Sequence, residues 1–175
     1  MSRSRPARHR PAQALVLTPH QLAAIVRHAE AAYPNEACGL LVGRRRARGV
    51  LRVGRVAESE NVAKGRRRDS FEIDPALRFE VERELRETGG EIVGHYHSHP
   101  DHPARPSARD LAQAYEPEFA WLIVGVAAGE ASACGAFQLD GETGKSRRLE
   151  LRLTDVAAPP RKRSRGAAAQ EKMRE

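Results

Sequence analysis

Gly94-His95-Tyr96-His97-Ser98-His99-Pro100, continued through Ser107-Ala108-Arg109-Asp110, is the stretch that orders the rest of the chain. Its pattern is H-x-H-P, six residues, then S-x-x-D. Side chains alternate along an extended chain, so His97 and His99 leave the same face. Pro100 then turns the chain, and Ser107 and Asp110 follow at the spacing of a helix start. The pattern brings two imidazole nitrogens and a carboxylate oxygen to one point. That is a three-ligand zinc set with a position left for water, the form that catalytic sites take.

Working outward, residues 91–96 read as the strand that delivers the histidines. Gly89-Gly90 stops the helix before it, which Asp74 caps and Pro75 opens. Leu77, Val81 and Leu85 repeat at i+4 on the buried face of that helix. Downstream, Ser107 opens a short helix through Ala114. Residues 119–126 are almost continuously apolar, as a central strand is. Residues 131–139 and 148–153 read as two more strands joined by a turn at Asp140-Gly141. Near the N-terminus, Leu15-Val16-Leu17 is a short strand. Thr18 caps the next helix, Pro19 takes its first position and Gln21 closes a capping box. Leu22, Ile25, Val26 and Ala29 mark its buried face, and Tyr33-Pro34 ends it. Residues 36–43 read as a buried strand entered by Glu36, residues 44–49 as a basic turn, and residues 50–56 as a half-exposed hairpin partner. Residues 61–69 form a polar loop, and Phe71 with Ile73 a short strand. The expected fold class is α/β, a mixed central sheet flanked by three helices.

The chain has 175 residues, 40% of them hydrophobic, which suits one domain with its own core. The expected limits are residues 14–156, between basic tails at 1–13 and 157–175. The net charge of +7 belongs to those tails: residues 1–11 and 161–175 each contribute +4, leaving a near-neutral centre. Such tails are usually solvated. No aromatic residue is interleaved with the C-terminal basic run, so a nucleic-acid partner is not expected. No apolar run reaches the length of a membrane span. No apolar region follows the basic residues 1–10, so a secretory leader is not expected and a cytoplasmic location is. Cys38 and Cys134 offer no disulfide framework.

Bland readings compete with the chemical ones. S-x-x-D alone is close to a capping box, and taken alone it predicts that Ser107 and Asp110 only cap a helix. Glu36 alone reads as a solvated loop carboxylate, and His28 as a surface or edge residue. His95 shares the parity of His97 and His99 and reads as a buried histidine satisfied by hydrogen bonds, or as a support for the ligands. His102 reads as solvent-facing. Three other signatures fail. Gly144-Lys145-Ser146 lacks the first glycine of a P-loop, since position 139 is Leu139. No Cys-x-x-Cys pair exists for a zinc deaminase. No H-E-x-x-H helix is present. The joint H-x-H-P-x6-S-x-x-D pattern is far more specific than its parts.

With those residues in place, the sequence resembles the JAMM (MPN-plus) metalloproteases, also called Mov34/MPN/PAD-1. His97, His99, Pro100, Ser107 and Asp110 complete the family signature, and Glu36 matches its upstream glutamate within Pro34-Asn35-Glu36-Ala37-Cys38-Gly39. Asn61-Val62-Ala63 and Phe71-Glu72-Ile73-Asp74-Pro75 resemble the small bacterial branch. The likeness spans residues 15–153. His95 departs from it, since many relatives carry an apolar or aromatic residue there. The resemblance implies a cytidine-deaminase-like sheet flanked by helices, one Zn²⁺ per chain, and hydrolysis of an amide or isopeptide bond at the C-terminus of a ubiquitin-like protein. The implied substrate is a sulfur-carrier protein or its C-terminal adduct, for example with release of an amino acid such as cysteine. Its tail is expected to add a strand to a sheet edge near the metal.

In the expected mechanism His97, His99 and Asp110 hold zinc and activate a water. Glu36 acts as general base and then general acid, which suits a carboxylate whose pKa its site raises. Ser107 donates a hydrogen bond to the oxyanion. Two alternatives stand beside this reading: a zinc peptidase on an unrelated peptide, and a non-catalytic binding module that uses the basic tails for protein or nucleic acid.

Overall fold

The computed structural model of the chain describes residues 11–155. Its elements run β1 (Ala14–Leu17), α1 (Pro19–Ala32), β2 (Cys38–Arg46), β3 (Val50–Ser59), α2 (Pro75–Thr88), β4 (Glu91–Pro100), α3 (Ala108–Ala112), β5 (Ala120–Ala127), β6 (Glu130–Asp140) and β7 (Lys145–Leu153). The sheet is mixed, in the order β1-β3-β2-β4-β5-β6-β7, and it closes on itself because β1 pairs in parallel with both β3 and β7. β4 lies between β2, antiparallel, and β5, parallel. The α/β expectation holds, with three α-helices among the described residues. The closure was not legible, because a four-residue strand with two non-local partners leaves no local trace.

Alternation sorts the side chains into two faces. Leu41, Tyr96 and Leu122 join Leu15, Ile25 and Ala29 in the core under α1. Leu40 and Val42 turn the other way and pack with Val81 of α2. Trp121 and Leu139 do the same beneath Ala114 and Leu111. The histidines at 95, 97 and 99 have the parity opposite to Tyr96, so they leave the α1 core and face outward. His28 closes the Tyr96 side with a 2.7 Å contact between its Nδ1 and the tyrosine hydroxyl, so it is more than a surface residue.

The helix starts are set by the expected caps. Thr18 and Gln21 form the reciprocal box, and Asp74 accepts from the Ala76 amide. Gly89 ends α2 at φ 69°, a left-handed conformation that glycine adopts without strain. Other expectations shift. Ala12 is fully buried and Gln13 bonds to both Gly49 and Glu150, so the domain begins before residue 14. The rest of the tail expectations, residues 1–10 and 156–175, lies outside the described residues. The basic stretch 44–46 continues β2, because Arg44 and Arg46 can stay exposed on a paired strand. Phe71 and Ile73 make no strand; only an isolated bridge joins Ile73 to Asn61. The ladders cover both sides of every strand for part of its length, so an added strand would have to pair beyond them, as at residues 54–59 of β3, which β1 does not reach. Among the described residues, no helix is long and apolar enough to cross a membrane.

The strand that carries the histidines packs tightly on its neighbour. A Cβ at Gly94 would stand 2.0 Å from the Ala120 carbonyl oxygen. Backbone cannot retreat there without opening the β4–β5 ladder. Gly94→Ala should therefore lower stability by about 3 kcal/mol or more, read as a fall in the denaturant midpoint.

Candidate metal centre and active site

β4 projects His97 and His99 side by side, and α3 brings Asp110 against them. Asp110 Oδ1 lies 3.3 Å from His97 Nε2, and Oδ2 lies 3.3 Å from His99 Nε2. The two Nε2 atoms are 2.9 Å apart. All three residues are buried. Ligand atoms around a tetrahedral zinc with bonds of roughly 2.0–2.1 Å stand about 3.3 Å apart, so the donor set fits that ion in both kind and spacing. His99 Nδ1 lies 3.1 Å from the Pro103 carbonyl, to which it donates, so loss of the ring's other proton would leave Nε2 as the nitrogen that faces an ion. The Phe71 ring stacks on His97 at 4.4 Å and 18° and holds its plane.

The cap and the candidate ligand are one carboxylate. Asp110 Oδ2 accepts from the Ser107 amide at 2.7 Å, while Ser107 Oγ accepts from the Asp110 amide at 3.1 Å. The capping box thus fixes the rotamer that presents Asp110 to the histidines. The Ser107 side chain uses its oxygen in this bond, and its hydroxyl proton stays free to donate.

Electrostatics reinforce the group. Burial alone would raise the Asp110 pKa, but hydrogen bonds from His97 and His99 hold its carboxyl well below the usual range. Burial pushes the His97 pKa down, against the pull of Asp110. Burial acts the same way on the less enclosed His99, where the bond and charge of Asp110 outweigh it and raise the pKa. His97 and His99 therefore differ in the balance of the same two forces.

Glu36 enters the site from the segment between α1 and β2, and only 7% of it is exposed. Burial drives its pKa up from 4.5 to about 8; His99 pulls it down, while Asp110 and Asp69 push it up. Two neighbours place its backbone. Its amide donates to the Arg67 carbonyl at 2.7 Å, and its carbonyl accepts from Asn61 Nδ2 at 2.9 Å. The adjoining Ala37 amide donates to Ser98 Oγ at 2.8 Å. Ser98 is the residue between the two histidines, and its opposite parity turns it toward the Glu36 segment.

Asn61 and Ser98 had no assigned role in the sequence. Asn61 uses all four of its side-chain positions: it donates to Glu36 and to Ser70 (3.0 Å), and it accepts from Ala63 and Glu72, both 3.1 Å. The only signal was its place in a short matching motif. Arg109 and Arg68 complete the loop's attachment, bonding to the Asp69 carbonyl and to Asp101. Asn61→Ala should lower stability by about 2–3 kcal/mol, since it strands buried partners. Asn61→Asp should recover the two accepting bonds while leaving Glu36 unheld. Thermal denaturation of the three proteins reads the difference.

The raised Glu36 pKa has a stability consequence in metal-free protein. Between pH 4.5 and about 8 the folded state keeps a proton that the unfolded chain has released. At this group the folded state binds more protons there, so the Glu36 contribution to stability falls as pH rises through that window. Below pH 4.5 both states are protonated and the penalty vanishes. Glu36→Gln removes this group's share of the pH dependence. Its stability gain over the parent should grow to a few kcal/mol from pH 5 to pH 8, at about 1.4 kcal/mol per pKa unit. Denaturant titrations in the presence of a chelator measure it.

Other residues fall outside this group. His102 is exposed, as expected. His95 is buried against Trp121, but its Nδ1 has no hydrogen-bond partner, contrary to the expected satisfied histidine. Cys38 is buried and its thiol is pushed up to about 12, so it stays protonated and unreactive. A shallow groove of about 420 Å³ between α2 and β4 contains none of the candidate catalytic residues.

Residues 18–139 match a family described as prokaryotic homologues of the JAB domain. The desampylase of Haloferax volcanii is 37% identical over 90 residues, which is 51% of this chain and 62% of that protein. The match thus spans less than two-thirds of that relative. Two solution structures are similar across nearly their whole length. A protein from Desulfitobacterium hafniense gives a TM-score of 0.70 at 32% identity, covering 82% of this chain and 94% of that one. A protein from Salinibacter ruber gives 0.62 at 35% identity, covering 86% and 97%.

Proposed function

The chain belongs to the prokaryotic JAB family, and on that premise we propose that it is a zinc-dependent peptidase or isopeptidase acting at the C-terminus of a ubiquitin-like protein. The observation that carries the reading is the convergence of His97, His99 and Asp110 beside a buried Glu36 whose pKa is raised. The desampylase likeness supports a ubiquitin-like adduct as the substrate class.

His97, His99 and Asp110 would hold the ion. Zinc bound there supplies Lewis acidity, lowers the pKa of a water toward roughly 7 and favours the ionised form of Glu36. Glu36 takes the proton of the attacking water and returns it to the leaving amine. Its burial favours the protonated form and the site's cation the ionised one, so one carboxyl serves both steps. Ser107, with its hydroxyl proton free, donates to the oxyanion. The pair Asn61 and Ser98 keeps the Glu36 segment in place through its backbone. No covalent intermediate is involved, in keeping with the protonated thiol of Cys38.

The sulfur-carrier proteins are the proposed partners, with an amino acid such as cysteine as the released group. The test is mass spectrometry of a ubiquitin-like carrier bearing a C-terminal cysteine, run beside an unrelated peptide library. Cleavage confined to the carrier adduct supports the substrate class. Cleavage of library peptides with the carrier untouched would replace it with the unrelated-peptide reading.

A further inference from the structure

The mechanism uses neither His95 nor the cleft that this residue lines. The cleft has a volume of about 150 Å³, with Phe71, Phe119 and Trp121 among its apolar walls and Gln113 and Tyr115 beside them. It shares a wall with the metal centre, since Phe71 also stacks on His97. His95 leaves β4 on the same face as His97, two residues earlier. At about 3.3 Å per residue, that offset matches one or two residues of an extended substrate.

Two observations give the cleft a chemistry. The first is His95 itself, 8% exposed and 4.1 Å from the Trp121 ring: its Nδ1 is shut in without a partner, so Nε2 is the ring nitrogen that can meet a group in the cleft. Leaving a buried polar atom unpaired costs roughly 1–3 kcal/mol, and a phenylalanine would fill similar space without that cost. Folding alone gives no reason for an imidazole here. The second is charge. Glu116, the one ionisable carboxylate among the lining residues, is bound by two Arg78 nitrogens at 2.6 and 3.2 Å. The cleft therefore presents aromatic faces and hydrogen-bonding groups but no uncompensated charge.

We propose that this cleft is a side-chain pocket of the substrate site, taking a flat, uncharged side chain with one hydrogen-bonding group, of the kind found in phenol or indole. Its use during hydrolysis rests on the proposed function; its binding of such a group does not. Aromatic walls select the flat shape, and His95 selects the polar group. A charged side chain is excluded because nothing there would neutralise it.

The chain has one tryptophan, and it lines the cleft, so a single indole N–H signal reports occupancy. The experiment is an NMR titration of the full chain with p-cresol, with toluene as the same shape lacking the hydroxyl. Saturable movement of the Trp121 signal is expected with p-cresol, with toluene about tenfold weaker, the worth of one hydrogen bond. His95→Phe should reduce p-cresol to the level of toluene. Tyr115→Ala, at a position 84% exposed and so safe for folding, should weaken both ligands. Equal binding of p-cresol and toluene to the unaltered chain would overturn the proposal, as would p-cresol binding that His95→Phe leaves intact. A chain that binds p-cresol in this way but hydrolyses nothing would remove the hydrolase reading and leave the pocket standing.

Discussion

Asp110→Ala should lower zinc affinity by more than about 100-fold, because loss of even a supporting contact around a metal typically costs 10–100-fold. The same substitution should weaken the start of α3, since the carboxylate also accepts from Ser107. Two variants separate these effects. Asp110→Asn keeps an oxygen for the Ser107 amide but loses the anionic ligand. It should bind zinc poorly in a protein of nearly normal stability. Ser107→Ala removes the reciprocal bond to the Asp110 amide and should cost about 1 kcal/mol of stability. It should retain most zinc affinity. Calorimetric zinc titration and thermal denaturation of the three variants give both readouts. Unchanged zinc affinity in Asp110→Asn would remove this residue from the ligand set.

Glu36→Gln should slow hydrolysis by roughly 10²–10⁴-fold, the usual contribution of a positioned acid–base group. Zinc affinity should fall far less than in Asp110→Asn, because the glutamine keeps the shape of the side chain and Glu36 lies outside the three-atom donor set. Glutamine can neither accept the water proton nor deliver one to the leaving amine. The two substitutions thus fail differently: one loses the ion, the other keeps the ion and loses the rate. A Glu36→Gln protein of full activity would assign the proton transfers elsewhere.

The residues that make up the metal group were legible because their geometry is local. His97 and His99 meet through strand parity, and Asp110 is positioned by a helix start whose cap is written in S-x-x-D. The two readings of that tetrapeptide looked exclusive in the sequence. In the structure the cap is what aims the candidate ligand carboxylate at the histidines. Helix limits were legible for the same reason, through Thr18, Asp74 and Gly89. What was missed depends on contacts between distant segments. Asn61 reaches Glu36 across 25 positions, and Ala37 meets Ser98 across 61. The closure of the sheet rests on β1, whose sequence says only that it is a short strand. His95 was misread in part: parity gave its face, but no pattern in the chain shows that Nδ1 lacks a partner.

The most direct measurement is hydrolysis of a ubiquitin-like carrier adduct by the protein stripped of metal and then titrated with zinc. The stripped protein should cleave nothing, and activity should return with zinc and saturate at one ion per chain. Full cleavage by the metal-free protein would contradict the zinc mechanism.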